Sequence, residues 1–329
     1  MNEIVALIQA AAPHWRGPDE EQWAARLDEQ QDRIQSALQT LLNNDPDTGL
    51  ELATALTDYW HLRASWAKGR DWLSKFLAAA HHPAPNVRGR ALSAESGLAF
   101  RLGDNQAAEH LANQALAIAR ELNDPILTID ALTRLARVSL RDQNPVQTAA
   151  LSRQAIELSE ETGDQSLSLM PLHCLAEATR MQGDLLGARQ LYQRSLDLNR
   201  KRGDQLVVAV ETSNLAAVEL GVGNLDAATR LWREALILAH RMKNWYLFPY
   251  PVAGLGEVAA AQGQWDRAAQ LLGAARGRFR ASGAAMDPAD IPAYDRAVDA
   301  ARRQLEPAAF DEAWGRGQAM QVDQIMAFA

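Results

Sequence analysis

Chemistry requires particular residue types at particular spacings, and this chain of 329 residues supplies few of them. Its seven histidines, at 14, 61, 81, 82, 110, 173 and 240, show no HxxxH or HExxH spacing, so no helix carries a two-histidine metal site. His81 and His82 stand side by side in a proline-rich loop without further ligands, which is no metal motif. GxSxG and the phosphate-loop pattern GxxxxGK(S/T) are absent from the sequence. The single cysteine, Cys174, excludes an intramolecular disulfide, and beside Leu172 and Leu175 it reads as a buried thiol. These residues argue against an enzyme and imply neither a cofactor nor a metal.

What the chain offers instead is charge in register. Arg90, Asp130, Met170, Val210 and Tyr250 lie 40 residues apart, as do Arg134, Cys174, Asn214 and Gly254. One turn further on come Arg137, Glu177 and Glu257, then Arg101 and Arg141. These residues interrupt an otherwise apolar pattern. In a chain of net charge -8, clustered arginines invite an acidic peptide, a carboxylate or a phosphate. The competing reading is a set of internal salt bridges with Glu95, Asp130 and Glu177. Tyr246, Phe248 and Tyr250 could form an aromatic end to such a site, or pack in the core.

The elements that must position these residues repeat with the same period. Asp104, Asn144, Asp184, Asn224 and Gln264 form one column; Asp124, Asp164, Asp204 and Asn244 form another, offset by 20. Glycine precedes six of these positions. Glycine ends a helix in the left-handed conformation, and a short Asp or Asn caps the free amides of the next. The pattern therefore predicts antiparallel helices cut every 20 residues. Leu111, Leu151, Leu191, Leu231 and Leu271 align, as do Leu135, Leu175, Leu215 and Leu255. Val138, Ala178, Val218 and Val258 follow three residues behind, and Ala108, Ala188, Ala228 and Ala268 supply close helix approaches. Such a repeat buries its apolar face only against its neighbours, as in a solenoid.

In chain order, Glu3 to Ala12 reads as a short helix ended by Pro13. Pro18, Asp19 and Glu20 open a second, over about 19–43, with Trp23, Leu27, Ile34, Ala37, Leu38 and Leu41 on one face. Six helix pairs follow, over about 47–80, 86–122, 125–162, 165–202, 205–243 and 245–282. Trp60, Trp66 and Trp72 read as large residues sealing the first pair, with an exposed aromatic patch as the alternative. Pro249 and Pro251 imply a late or kinked start to the first helix of the sixth pair. After Gly283 the period stops. Asp287-Pro288-Ala289-Asp290 opens a helix to about Leu305, Pro307 another to about Arg316, and 322–329 reads as a last short helix. The division expected is a helical cap at 1–46, a solenoid at 47–285 and a second helical cap at 286–329.

The acidic balance argues against direct nucleic-acid binding. The sequence has no apolar run of the roughly 20 residues that a membrane span needs. The N-terminal segment carries Glu3 and no basic start, so a cytoplasmic setting is expected.

Helix pairs with Gly-Asp turns and small-residue columns resemble tetratricopeptide repeats, although the unit is 40 residues and not the usual 34. The longer unit is similar to the helical arm of bacterial signal-transduction ATPases and LuxR-type transcriptional regulators. Leu271-Leu272-Gly273-Ala274-Ala275, Phe310, Ala313-Trp314 and Gly317 are similar to the end of such arms. The nucleotide-binding and helix-turn-helix motifs of those regulators have no counterpart in these residues, so the resemblance implies only the arm. It places the first helix of each pair on a concave groove, lined here by Arg90, Arg101, Asp130, Arg134, Arg137, Arg141, Met170, Glu177, Asn214 and Tyr250. The expected fold is an all-α solenoid of about six helix pairs capped at both ends. The expected function is a regulatory, non-enzymatic scaffold that holds a peptide or protein segment. A sensor arm holding a small effector is the alternative, and self-association through an end face or the groove is a third reading.

Overall fold

In the computed structural model, which describes residues 2–15, 19–282, 286 and 290–329, all regular structure among those residues is helical. The chain forms two compact units, Met1–Cys174 and Leu175–Ala329. The first holds α1 (Asn2–Ala11), a short 3-10 helix (Ala12–His14), α2 (Glu20–Asp28), α3 (Gln31–Asn44), α4 (Pro46–Ala55), α5 (Thr57–Leu62) and α6 (Trp66–Ala79). It continues with α7 (Pro85–Arg101), α8 (Asn105–Leu122), α9 (Pro125–Arg141) and α10 (Pro145–Thr162). Helix α11 (Leu169–Met181) runs through the boundary. The second unit adds α12 (Leu185–Arg202), α13 (Gln205–Gly221), α14 (Leu225–Arg241), α15 (Pro249–Ala261), α16 (Trp265–Ser282), α17 (Ile291–Gln304), α18 (Pro307–Ala319) and α19 (Val322–Phe328).

The turn chemistry fixes where each repeat helix starts. Asp104, Asp124, Asn144, Asp184, Asp204 and Asn224 each accept a hydrogen bond from the backbone N–H three residues on, at 2.8–3.4 Å. Each such cap contributes about 1 kcal/mol. Gly183 and Gly203 sit at φ +83° and +79°, the left-handed region that ends a helix. Where the sequence lacks that glycine, Asn123, Gln143 and Lys243 take the same conformation at φ +51° to +57°.

Two columns pack as the period requires. Ala108, Ala188, Ala228 and Ala268 are fully buried, and Leu135, Leu175, Leu215 and Leu255 lie at 7% exposure or less. Leu111, Leu151, Leu191 and Leu231 are only half-buried, whereas Leu271 is fully buried. The difference follows from α17 and α18, which pack on α16 and cover it.

The N-terminal helices share one core in which Ile8, Leu27, Leu38, Leu50, Leu73 and Phe76 are almost wholly buried. Each such side chain contributes roughly 1.5–3 kcal/mol relative to an exposed position. Trp60 and Trp72 belong to this core, and Trp66 is partly buried against it. The single helix expected over 19–43 is two helices, broken at Glu29 and Gln30. The stretch Asp28 to Asp32 carries no apolar side chain to hold a helix against the core. Its polar ends are instead tied to α5 and its end, where Tyr59 and Arg63 both donate to Asp28. Pro18 lies outside the described residues, as do Gly283 and the expected helix start Asp287-Pro288-Ala289.

Proline delays two of the repeat helices. Helix α11, with Pro171 in its first turn, begins at Leu169 after a 3-10 turn over Gln165–Ser168, and α15 begins at Pro249 after turns over 245–248. In the second unit, glycine sets the approach of α16 to α18. A Cβ at Gly317 would lie 2.0 Å from the backbone oxygen of Gln270, and one at Gly273 would lie 2.5 Å from that of Trp314.

Candidate functional site

Arg101 of α7 and Arg134, Arg137 and Arg141 of α9 come together on the first helices of successive pairs, beside His61 of α5. Arg134 of α9 lies across α7 at Gly97, where a Cβ would stand 2.3 Å from its Nη1. Asp130, one turn earlier on α9, pairs with Arg134 at 3.2 Å and accepts from the Ser93 hydroxyl of α7. Arg137 stands over the Phe100 ring, its guanidinium carbon 4.4 Å from the ring centre. Arg141 lies 3.4 Å from the same ring and donates to the Phe100 carbonyl at 2.5 Å and to Asn105 at 3.2 Å. It ties the end of α9 to the end of α7. Arg101 faces Trp66 at 5.9 Å.

The electrostatics show how closely these charges sit. Burial, together with the charges of Arg134 and Arg101, pushes the half-buried His61 of α5 down to about 4. The imidazole is therefore neutral at physiological pH. Burial, then Arg134 and Arg101, also lowers Arg137, although a guanidinium stays charged in neutral solution. Two donors of the cluster, Arg134 Nε and Trp66 Nε1, are buried without a partner among the described residues. Unmet buried donors beside crowded cations favour an anion with several acceptor oxygens.

Arg90 is exposed near the start of α7. It stands three turns, about 16 Å along the helix, from Arg101 and so outside the cluster. Met170, near the start of α11, is 41% exposed. Of the acids expected beside the arginines, Asp130 pairs with Arg134, Glu95 accepts from Ser74, and Glu177 accepts from Arg180 at 2.7 Å and from the Tyr192 hydroxyl. Glu177, Asn214 and Tyr250 lie in the second unit, on α11, α13 and α15. Asn214 and Tyr250 are half-buried there, Tyr250 against the Phe279 ring at 5.0 Å. Of the three aromatics near the start of α15, Phe248 is core and Tyr246 is 59% exposed.

Sequence reasoning missed Gly97, Phe100 and the role of His61. The 40-residue period aligns Gly97 with Arg137, and that register carried the one available signal for it. His61 had none, because its position depends on the break between α4 and α5. Among the described residues no group of three or more His, Cys, Asp or Glu is placed to hold a metal. No described helix is long and apolar enough to cross a membrane.

A family model described as the MalT-like TPR region matches residues 89–313, which is more than half of the chain. The chain belongs to this family. A search of curated proteins gives no match. Several solved structures share the helical-repeat fold. A Rap protein complexed with competence and sporulation factor has a TM-score of 0.60 at 12% identity, covering 94% of this chain and 80% of its own. NprR in complex with its cognate peptide NprX has a TM-score of 0.56 at 13% identity, covering 93% of each chain. A signal-transduction ATPase (STAND) protein with a tetratricopeptide repeat sensor, from Pyrococcus horikoshii, has a TM-score of 0.58 at 14% identity. It is matched over 86% of this chain and 42% of its own.

Proposed function

We propose that this MalT-like repeat protein is a non-enzymatic regulatory scaffold, and that the first-helix face of its first unit holds an acidic peptide or protein segment. The observation that carries the reading is the packing of Arg134 and Arg137 beside Arg101 and His61, with Asp130 paired to Arg134. A closed structural network would satisfy each buried donor, and here Arg134 Nε and Trp66 Nε1 have no partner among the described residues. The cluster also retains two aromatic rings, Trp66 and Phe100, suited to a mixed acidic and apolar segment. Stiff helix pairs hold the guanidiniums in place before binding, which reduces the ordering cost of capture. The Rap protein is found with competence and sporulation factor and NprR with its cognate peptide NprX, and the likeness of fold to NprR favours a peptide over other anions.

The test is selection of a random 12-residue peptide library on the full chain, followed by calorimetry with the best sequence. Selected peptides are expected to carry Asp or Glu and to lose affinity for the Arg134→Glu, Arg137→Glu double variant while its Tm holds. Peptides without acidic residues, or affinity unchanged in the double variant, would overturn the proposal.

A further inference from the structure

One register position changes sign between the two units. Residues 121, 161, 201 and 241 stand 40 apart, and they are Glu121, Glu161, Lys201 and Arg241. Each lies in the last turn of the second helix of a pair, in α8, α10, α12 and α14 in turn. All four are exposed, and none makes an ion pair or side-chain hydrogen bond among the described residues. Glu157, one turn before Glu161, adds to the acidic pair, and Arg202 and Lys243 add to the basic one. Arg120 and Asp204 oppose one charge each.

Local helix physics does not account for this pattern. The C-terminal end of a helix carries partial negative charge, which favours a cation and disfavours a carboxylate. Lys201 and Arg241 suit that place, whereas Glu121 and Glu161 do not. Lys243 takes the left-handed conformation, at φ +51°, where the equivalent positions hold Gly163 and Gly203. That conformation is unfavourable for a residue with a Cβ. The chain therefore keeps charge at these helix ends against the local preference.

The two pairs also match in spacing. Helices α8 and α10 both pack on α9, and α12 and α14 both pack on α13. One repeat separates Glu121 from Glu161, and one repeat separates Lys201 from Arg241, so two acids can meet two cations at once. Apolar side chains accompany both pairs. Leu122 and Ile126 are exposed in the turns beside the acids, and Leu206, Trp245 and Tyr246 in those beside the cations. Apolar contact framed by opposite charges is the make-up of a protein–protein interface.

We propose that the chain self-associates head to tail, the ends of α12 and α14 in one copy docking on the ends of α8 and α10 in a second copy. Lys201 and Arg241 meet Glu121 and Glu161 around a centre of Ile126, Leu206 and Tyr246. The contact joins unlike faces, so each copy keeps one face of each kind open to a further copy unless the assembly closes. It is small and its charges are exposed, so it is weak and sensitive to salt.

The experiment is sedimentation equilibrium on the full chain in low salt and in about 1 M salt, where the screening length is about 3 Å. In low salt the weight-average mass should exceed that of one chain and rise with concentration; in high salt it should fall back. The double variants Glu121→Lys with Glu161→Lys, and Lys201→Glu with Arg241→Glu, should each weaken association at least about tenfold, because like charges then face one another. An equimolar mixture of the two should associate again, since each offers the face that the other lacks. All four changes in one chain should restore association too. Arg303→Glu, at an exposed position on α17, should leave it unchanged. Circular dichroism melting confirms that each variant is folded. A single chain at every concentration up to about 1 mM, a level of negligible affinity, would overturn the proposal. So would association that survives high salt or either double variant unchanged, or a mixture or fourfold variant that stays monomeric. Because Arg134 and Arg137 play no part, this contact and the peptide face stand or fall separately.

Discussion

Gly97→Ala separates binding from folding at the arginine cluster. The added Cβ would stand 2.3 Å from Arg134 Nη1 and 3.0 Å from its Cζ. Non-bonded heavy atoms settle at about 3.5–4.0 Å, so the guanidinium must move by about 1 Å or more. Moving it breaks the 3.2 Å pair with Asp130. That pair is partly exposed and contributes about 0–1 kcal/mol. Replacing glycine with alanine inside a helix returns about 0.5–1 kcal/mol. The two effects offset, and Tm should stay within about 3 °C of the parent. Binding should respond differently. A charge-assisted hydrogen bond to a carboxylate contributes about 1.5–3 kcal/mol, so its loss weakens a selected acidic peptide by about 10- to 150-fold. The assay is calorimetry beside a melting curve on one preparation. Parent affinity with an unchanged Tm would refute the argument that Gly97 places Arg134 for binding.

Three further outcomes follow from the same structure. Gly317→Ala puts a Cβ 2.0 Å from the Gln270 backbone oxygen, which cannot swing aside as a side chain can. It should destabilise the second unit by at least about 2 kcal/mol and speed hydrogen exchange in α18. Asp184→Ala removes the acceptor of the Gly187 N–H at 2.8 Å and should cost about 1 kcal/mol in denaturant titration. Burial, then the neighbouring Asp290, lifts Glu257 to about 8. Between its ordinary value and that one, the folded chain holds a proton that the unfolded chain has lost, so stability falls as pH rises through this window. Glu257→Gln should therefore be more stable than the parent at pH 8, and equal to it below about pH 4. The gain should be about 1–3 kcal/mol, reduced from the full shift because the side chain is only half-buried. A parent at least as stable as the variant at pH 8 contradicts it.

Much of the helix layout was legible because capping is local chemistry. Asp104, Asp124, Asn144, Asp184, Asp204 and Asn224 each reach an amide three residues away, a contact the fold cannot move. The late start of α15 was legible for the same reason, since Pro249 and Pro251 lack the N–H that a helix interior needs. The break at Glu29 and Gln30 was less so. It depends on Asp28 meeting Tyr59 and Arg63, which lie more than 30 residues away.

The candidate site divides along the same line. Residue types and period by themselves determined the all-α repeat, the buried alanine column and the register that sets Arg134 and Arg137 on one helix. Only the tertiary structure decided what those charges meet. It laid Arg134 across Gly97, set Arg137 and Arg141 over Phe100, brought His61 within their field, and left Arg90 three turns away. The physical reason is range. Backbone capping and helical periodicity act within a few residues, whereas the field at a side chain sums over every helix packed around it.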